Sequence, residues 1–297
     1  MSQQDTAAPE EFQGRLSPGK NWMEIVAWVG DLPPLPAVAS KAIQLVEDPD
    51  TTAGKLTDLL SSDPALAARV LKIANSAMFS RQREITTLNQ AIMVIGFKAL
   101  KGIIVAATLR QLNRTHGDVE KMLWQNSMCT AMGAHVISKN LKKRYLDEVF
   151  LLGLLHDLGK LVLLRQTVDD YKKVLGMIRQ GKQFFEAEQE VLGFAHPLIG
   201  ALVAKKWNFS AETCQIILHH HDPISVPFET EMHEKTTIVQ LANLIAHRLG
   251  YGHYDGYPDF AEQLPQTAKL LGVDEAMLNS LIEETGKTFV EQSAVFE

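Results

Sequence analysis

The chain has 297 residues, of which 46% are hydrophobic and 22% are charged. This length allows one large or two ordinary domains with a buried core, and the composition excludes a chain that is disordered throughout. The formal net charge is −6, and no stripe of basic residues is present of the kind that binds nucleic acid, so we expect no nucleic-acid partner.

The first residues predict no targeting function. Residues 1–20 lack the basic start and apolar stretch of a secretory signal, and we expect a flexible polar tail. No apolar run approaches the ~20 residues of a membrane span, so we expect a soluble cytoplasmic protein without membrane contact. The two cysteines, Cys129 and Cys214, lie in apolar helical patterns. This pattern favours buried reduced thiols over a disulfide framework.

Apolar residues repeat at three and four positions along nearly the whole chain, which predicts an all-α fold. A first stripe from Trp22 to Val29 stops at LPPLP (32–36). Asp63 is placed to cap the helix that Pro64 begins, because proline suits the first helical position. Thr87 is placed to cap a helix over 88–95, and Gly96 is predicted to break it.

The polar segment 113–118 predicts a hinge between two helical lobes. The predicted N-terminal lobe covers about 30–112, and the second lobe covers about 119–225. Together they form one domain over 21–225, and 226–297 is predicted to be a C-terminal helical extension. The basic residues near the end of the helix that follows the hinge are interpreted as a solvated helix terminus. They are Lys139, Lys142, Lys143 and Arg144.

Histidines are the most informative residues for chemistry, since six of the ten lie between 135 and 221. His156 is followed directly by Asp157 in GLLHDLGK (153–160). Imidazole with carboxylate suits zinc, iron, manganese or nickel, so this pair indicates a candidate metal site. Successive side chains on a helix point about 100° apart. Of the three histidines in HHH (219–221), we therefore expect no more than two to share one site. We predict that these two are His220 and His221.

Several motifs in one order carry a resemblance to a known family. They are LPPLP (32–36), DPALAARVLKIANSAMF (63–79), AI and IG (91–96), GLLHDLGKLVL (153–163), LGFAHPLIGALVAKKW (192–207) and HHHDP (219–223). In this combination the chain resembles the HDOD family, the output-domain relatives of the helical, metal-dependent HD phosphohydrolases. The resemblance implies a bacterial signalling protein with an HD-like helical core in its C-terminal lobe.

The resemblance also implies a changed ligand set. Active HD enzymes have a histidine and an aspartate at the positions that match Asn126 and Asn243. An amide oxygen is a weaker, neutral donor, so the standard HD metal position, with His156 and Asp157, is expected to be impaired. A second set, found in the related HD-GYP enzymes, is complete here: Asp157, His196, His220 and His221. This set is expected to hold one divalent ion, Fe, Mn, Ni or Zn, or to form a hydrogen-bonded cluster without metal.

Other motifs have weaker interpretations. Lys160 is a candidate for binding a phosphate as a point charge, and the alternative is a surface lysine at a helix end. The GYP at 256–258 is interpreted as a loop, because 35 positions separate it from His221. His135 is interpreted as a core histidine. Four further histidines lie in polar surroundings and need no function: His116, His233, His247 and His253.

Three functions remain open from the sequence. The first is a non-catalytic signalling module with a degenerate HD pocket, which binds other signalling proteins or a small phosphorylated ligand. The second is a metal-dependent phosphohydrolase acting on a phosphodiester or nucleotide through the surviving ligands. The third is an interaction scaffold whose N-terminal lobe presents the surface. The two asparagines favour the first, because two-metal hydrolysis needs both ions.

Overall fold

The computed structural model describes residues 9, 12, 14–18, 20–30, 34–79, 85–112, 117–222, 230–254 and 260–296, excluding the side chains of 111 and 112. These residues form helices and connecting turns without a strand, which confirms the all-α prediction. Parts of the segments 32–36 and 113–118 lie outside the described residues, as do His116 and the GYP segment 256–258.

Helix α1 (Trp22–Gly30) packs against α11 (His196–Lys206). We call the next four helices the first lobe; they are α2 (Ala37–Glu47), α3 (Ala53–Ser61), α4 (Pro64–Ala74) and α5 (Leu88–Leu112). Helix α5 packs against α2, α3 and α4 and also against α7 (Leu146–Leu155) of the second lobe.

The second lobe contains the remaining helices. They are α6 (Asp118–Asn140), α7 (Leu146–Leu155), α8 (Leu158–Gln166), α9 (Val168–Ile178), α10 (Phe184–Leu192), α11 (His196–Lys206), α12 (Ala211–His219), α13 (Glu231–Arg248), α14 (Gln263–Leu270) and α15 (Glu275–Gln292). Helices α13 and α15 pack directly on α6. The helices of the segment 226–297 therefore form part of this lobe.

Local signals in the sequence explain several helix boundaries. The Asp63 side chain accepts hydrogen bonds from the backbone N–H groups of Ala65 and Leu66, and Pro64 is the first residue of α4. Thr87 caps α5 through the N–H of Gln90. Gly96 adopts φ 79° and ψ 171°, so it kinks α5 as the sequence predicts.

Helix α5 combines great length with an apolar composition. By length and composition its segment Leu88–Arg110 could cross a membrane, but 67% of its most apolar window is buried inside the protein. A central helix of a helical core has the same property, because it is covered by apolar neighbours on most sides.

Part of the segment predicted to be a flexible tail is docked on the protein. Phe12 is buried and stacks on Trp22 at a ring distance of 5.0 Å. The backbone N–H of Ser17 donates to the carbonyl oxygen of Gly193. The expectation of a flexible tail is therefore wrong for these residues, because Phe12 supplies an apolar anchor.

The end of the described chain contacts both lobes. A short 3-10 turn, Ser293–Val295, follows α15. Lys72 Nζ donates to the carbonyl oxygen of Ala294 at 3.2 Å. The next residue, Phe296, is buried, with its ring 6.1 Å from that of Phe150 in α7. The last turn of the chain thus lies between the first lobe and α7.

Candidate metal centre

A break between α7 and α8 positions the His-Asp pair. His156 ends α7, and Asp157 precedes α8 with φ −100° and ψ 14°. The two side chains therefore do not project from one continuous helix. Both are buried.

Two glycines let α8 lie against α11. A Cβ atom on Gly159 would lie 2.0 Å from the carbonyl oxygen of His196, and one on Gly200 would lie 3.3 Å from the backbone nitrogen of Gly159. Only glycine allows so close an approach of two helix backbones. This contact brings Asp157, at the start of α8, to His196, at the start of α11.

The Asp157 carboxylate is the centre of the site. Its Oδ1 lies 3.2 Å from His196 Nε2 and 3.6 Å from His220 Nε2. Its Oδ2 lies 2.7 Å from Lys160 Nζ and 3.2 Å from His156 Nε2. His221 Nε2 completes the group at 3.0 Å from His196 Nε2. We call Asp157, His196, His220 and His221 the four-residue cluster; their ligand atoms all lie within 4.8 Å of one another.

The imidazole hydrogen bonds orient two rings toward this carboxylate. His156 Nδ1 lies 2.7 Å from the carbonyl oxygen of Gly153, and His220 Nδ1 lies 2.7 Å from that of Ile217. A carbonyl only accepts, so in each ring Nδ1 carries a proton, and a ring without a second proton has its lone pair on Nε2. Both Nε2 atoms and Asp157 Oδ1 are buried without a hydrogen-bond partner. Such atoms are the donors that a cation requires.

His196 is held by a different kind of partner. Its Nδ1 lies 2.6 Å from Glu188 Oε2, and its backbone N–H donates to the same oxygen at 2.7 Å. Tyr171 donates its hydroxyl to Glu188 Oε1 at 3.0 Å. Glu188 was not predicted as a site residue. The available signal was its position on the apolar stripe of α10, between Phe184 and Leu192.

Charge and burial fix the ionisation of the cluster. Burial alone opposes ionisation of Asp157, but the His156 ring and the Lys160 ammonium hold the pKa of Asp157 well below its usual value. Burial lowers the pKa of His220 to about 3. In His196 the Glu188 carboxylate outweighs the effect of burial and raises the pKa. At neutral pH the site therefore contains an ionised carboxylate and a neutral His220 ring.

Lys160 is not the surface lysine that one interpretation predicted. Only 1% of the residue is exposed. Its ammonium group pairs with Asp157 and lies 4.4 Å from the centre of the Phe184 ring. The positive charge of Lys160 thus acts inside the site, on the carboxylate.

The two asparagines are bonded to each other. Asn126 Nδ2 donates to Asn243 Oδ1 at 3.1 Å, and it lies 3.4 Å from the carbonyl oxygen of Tyr251. Gly252, with φ +91°, packs against Asn126 so closely that a Cβ atom would lie 2.5 Å from Asn126 Nδ2. Both asparagines are buried. The pair is a neutral, closely packed contact between α6 and α13.

A cavity of about 340 Å³ opens beside the four-residue cluster. His221 lines it and is the exposed member of the cluster. Asn243 and His247 form part of its inner wall, and Arg15 and Asp222 line it too. A cavity of this volume is at the small end of the range for small-molecule sites.

The remaining histidines lie outside the four-residue cluster. His219 contacts Arg15, with Nδ1 3.0 Å from the guanidinium Nη2, so only His220 and His221 of the triplet belong to the cluster. His233 and His247 are buried, although the sequence indicated polar surroundings. The reason is that both lie on inward positions of α13, which packs on α6.

Known proteins resemble the chain over most of its length. A Geobacter sulfurreducens HDOD domain protein of unknown function is 25% identical, with a TM-score of 0.76, and the match covers 93% of this chain and 96% of that one. A Shewanella amazonensis protein, provisionally described as a phosphohydrolase, is 25% identical with a TM-score of 0.71, covering 92% and 98% of the two chains.

An uncharacterized protein of Treponema pallidum (strain Nichols) is 25% identical over 207 residues, which is 68% of this chain. The match spans only 40% of that longer protein. The HDOD domain family matches residues 32–223, a range that contains the four-residue cluster and the Glu188 carboxylate behind it. Because this range is more than half of the sequence, the chain belongs to the HDOD family.

Proposed function

We propose that this chain is a non-catalytic cytoplasmic signalling protein that holds one divalent metal ion in the four-residue cluster. In this proposal the adjoining cavity receives a small phosphorylated ligand, and the protein passes the signal to another signalling protein. The observation that carries the proposal is the hydrogen-bonded pair of Asn126 and Asn243, which are neutral side chains bonded to each other.

The spacing of the donor atoms fits one ion. Donors that share an ion at bonds of about 2.1 Å lie about 3.0 Å apart at right angles and about 3.4 Å apart at tetrahedral angles. The neighbouring donor pairs of the cluster are 3.0, 3.2 and 3.6 Å apart. The partnerless buried Nε2 of His220 and Oδ1 of Asp157 support the same conclusion. Three imidazoles and one carboxylate suit Mn, Fe, Ni or Zn.

The other side of Asp157 does not favour a second ion. Oδ2 already faces the Lys160 ammonium at 2.7 Å. Asn126 and Asn243 supply no negative charge, and each uses part of its hydrogen-bonding capacity on the other. Hydrolysis of phosphate esters at two-metal centres depends on an ion on each side of the reacting group. We therefore infer binding without turnover.

The exposed position of His221 supports a role in ligand binding. A bound ion supplies a positive centre that attracts an anionic oxygen. Asp157, His196 and His220 would hold it from the buried side, and His221 from the cavity side. Arg15 on the cavity wall adds a second positive group for an anionic ligand.

Metal analysis combined with an activity assay tests the proposal. The purified full chain is dialysed against Mn²⁺, Fe²⁺, Ni²⁺ or Zn²⁺, and the bound metal is measured by mass spectrometry. We expect about one ion per chain in the wild type and none in Asp157→Ala. The loaded protein is then assayed with cyclic dinucleotides, nucleotides and generic phosphodiesters, and we expect no turnover above that of Asp157→Ala.

A metal-dependent phosphohydrolase is the second candidate function. The cavity that opens onto His221 favours it, as does the provisional description of the Shewanella amazonensis relative. Two bound ions, or turnover that Asp157→Ala abolishes, would establish this candidate and refute the first.

A further inference from the structure

Glu188 is a buried carboxylate whose role is not explained by an ion pair with a basic side chain. It is 0% exposed. Among the described residues, its ion-pair contact is with His196, and no lysine or arginine lies within ion-pair distance of it. Burying an unpaired carboxylate is unfavourable, so a group that benefits from its charge should lie next to it.

His196 is that group. Of the three cluster histidines, His220 donates Nδ1–H to a neutral carbonyl, whereas His196 faces a carboxylate at 2.6 Å. The second contact of Glu188 Oε2, with the backbone N–H of His196 at 2.7 Å, fixes the carboxylate relative to the ring. The Tyr171 hydroxyl fixes the other carboxylate oxygen.

We propose that Glu188, oriented by Tyr171, is the positioning residue that makes His196 a strong metal ligand. The inference rests on the metal site proposed above. The carboxylate keeps the proton on Nδ1, which would leave the Nε2 lone pair available to an ion that Asp157 Oδ1 also holds. It also increases the electron density that the ring donates to an ion, as acidic partners of ligand histidines do.

A purely structural role makes a different prediction. Ala195 precedes α11 and has no side chain that caps it. In this alternative, the sole role of Glu188 is to accept a hydrogen bond from the first N–H group of α11. Glutamine at this position keeps an acceptor oxygen and the shape of the side chain but removes the charge. A capping role predicts unchanged metal affinity in Glu188→Gln, whereas the positioning role predicts weaker affinity in a protein that is still folded.

Titration calorimetry with Mn²⁺ or Co²⁺ alone separates the two roles. The matched control is Glu190→Gln, since Glu190 lies on the same helix but is exposed and pairs with Lys182. We expect Glu188→Gln to raise the metal Kd by about 10- to 100-fold. The control should stay within about twofold of the wild type. In the Co²⁺ form, the visible absorption of Glu188→Gln should shift relative to both, because the His196 ligand changes.

Tyr171→Phe provides a second variant, which loses one hydroxyl and keeps the charge of Glu188. We expect a smaller increase of Kd, about threefold to tenfold, with circular dichroism like that of the wild type. If the wild type binds Mn²⁺ or Co²⁺ and Glu188→Gln binds it equally well, this inference is wrong and the proposed metal site stands. If the wild type binds neither ion, both are wrong.

Discussion

Gly159 lies where α8 passes closest to α11, and its replacement by alanine tests the geometry that assembles the cluster. The added Cβ atom would lie 2.0 Å from the carbonyl oxygen of His196 and 2.9 Å from the backbone nitrogen of Gly200. Both atoms belong to the backbone of α11, so neither can rotate away. Contacts of a Cβ atom below 3.0 Å essentially do not occur, and the two helices must therefore separate by about 1 Å.

This separation has an energetic and a functional consequence. Overpacking a well-packed core costs about 1–3 kcal/mol, and we expect the upper end because rigid backbone lies on both sides. Alanine regains about 1 kcal/mol of helix propensity relative to glycine. We therefore expect the free energy of unfolding to fall by about 2 kcal/mol. Metal affinity should fall as well, since Asp157 and His196 move apart with the two helices.

Gly176→Ala is the matched control. Gly176 lies within α9, and a Cβ atom there would meet nothing within 4 Å. This variant should gain about 0.5–1 kcal/mol of stability. Urea unfolding of both variants, followed by circular dichroism, gives the comparison. If Gly159→Ala proves as stable as Gly176→Ala, the close approach of α8 and α11 is not real, and the argument for the cluster loses its basis.

Three further predictions concern caps and charges. Asp63→Ala removes the acceptor for two N–H groups of α4, and urea unfolding should show a loss of about 1 kcal/mol; no change would mean that the cap is unimportant. Lys235 is only 2% exposed and pairs with Glu148, Glu212 and Glu231. Lys235→Met should lower the free energy of unfolding by about 2 kcal/mol at pH 7. This loss is smaller than for a fully buried ion pair, because the carboxylates are partly solvated. The pKa of Glu231 is lowered to about 2, and that of Glu148 is also lowered. The stability difference between the wild type and Lys235→Met should therefore shrink as the pH falls below about 4.5 and these carboxylates become protonated. A stability difference that stays constant would contradict this explanation. Burial lowers the pKa of His247 to about 3. As the pH falls, this histidine is therefore protonated in the unfolded chain before it is protonated in the folded one. The free energy of unfolding should fall between about pH 6.5 and 3 by up to about 1.4 kcal/mol per pH unit. His247→Gln should reduce this slope in urea unfolding at pH 7, 6 and 5, and an identical slope would refute the assignment.

Local signals in the sequence predicted much of the fold. The caps at Asp63 and Thr87 and the kink at Gly96 depend on a few neighbouring residues, so they are visible without tertiary structure. Periodicity predicted the all-α class for the same reason. The place of the segment 226–297 in the fold was harder to predict. The packing of α13 on α6 depends on residues that lie more than 100 positions apart in the sequence.

The candidate site was predictable only in part. The structure brings together Asp157, His196, His220 and His221, whereas His156 faces the other carboxylate oxygen, beside Lys160. Glu188 carries no motif, and its place on the apolar stripe of α10 is a weak signal, because an acidic residue in a helix usually faces solvent. Single-sequence patterns identify which residues are unusual, but the partner of a buried charge is set by tertiary contacts.

The turn after α15 limits how the lobes can move. Any rotation of the first lobe relative to the second would break the bond from Lys72 Nζ to the carbonyl oxygen of Ala294 and would disturb the packing of α5 against α7. Among the described residues, the lobes are therefore joined by noncovalent contacts between α5 and α7 and at the turn that follows α15. A lobe movement would have to break the bond between Lys72 and Ala294, whereas Phe296 and Phe150 both belong to the second lobe and would move together.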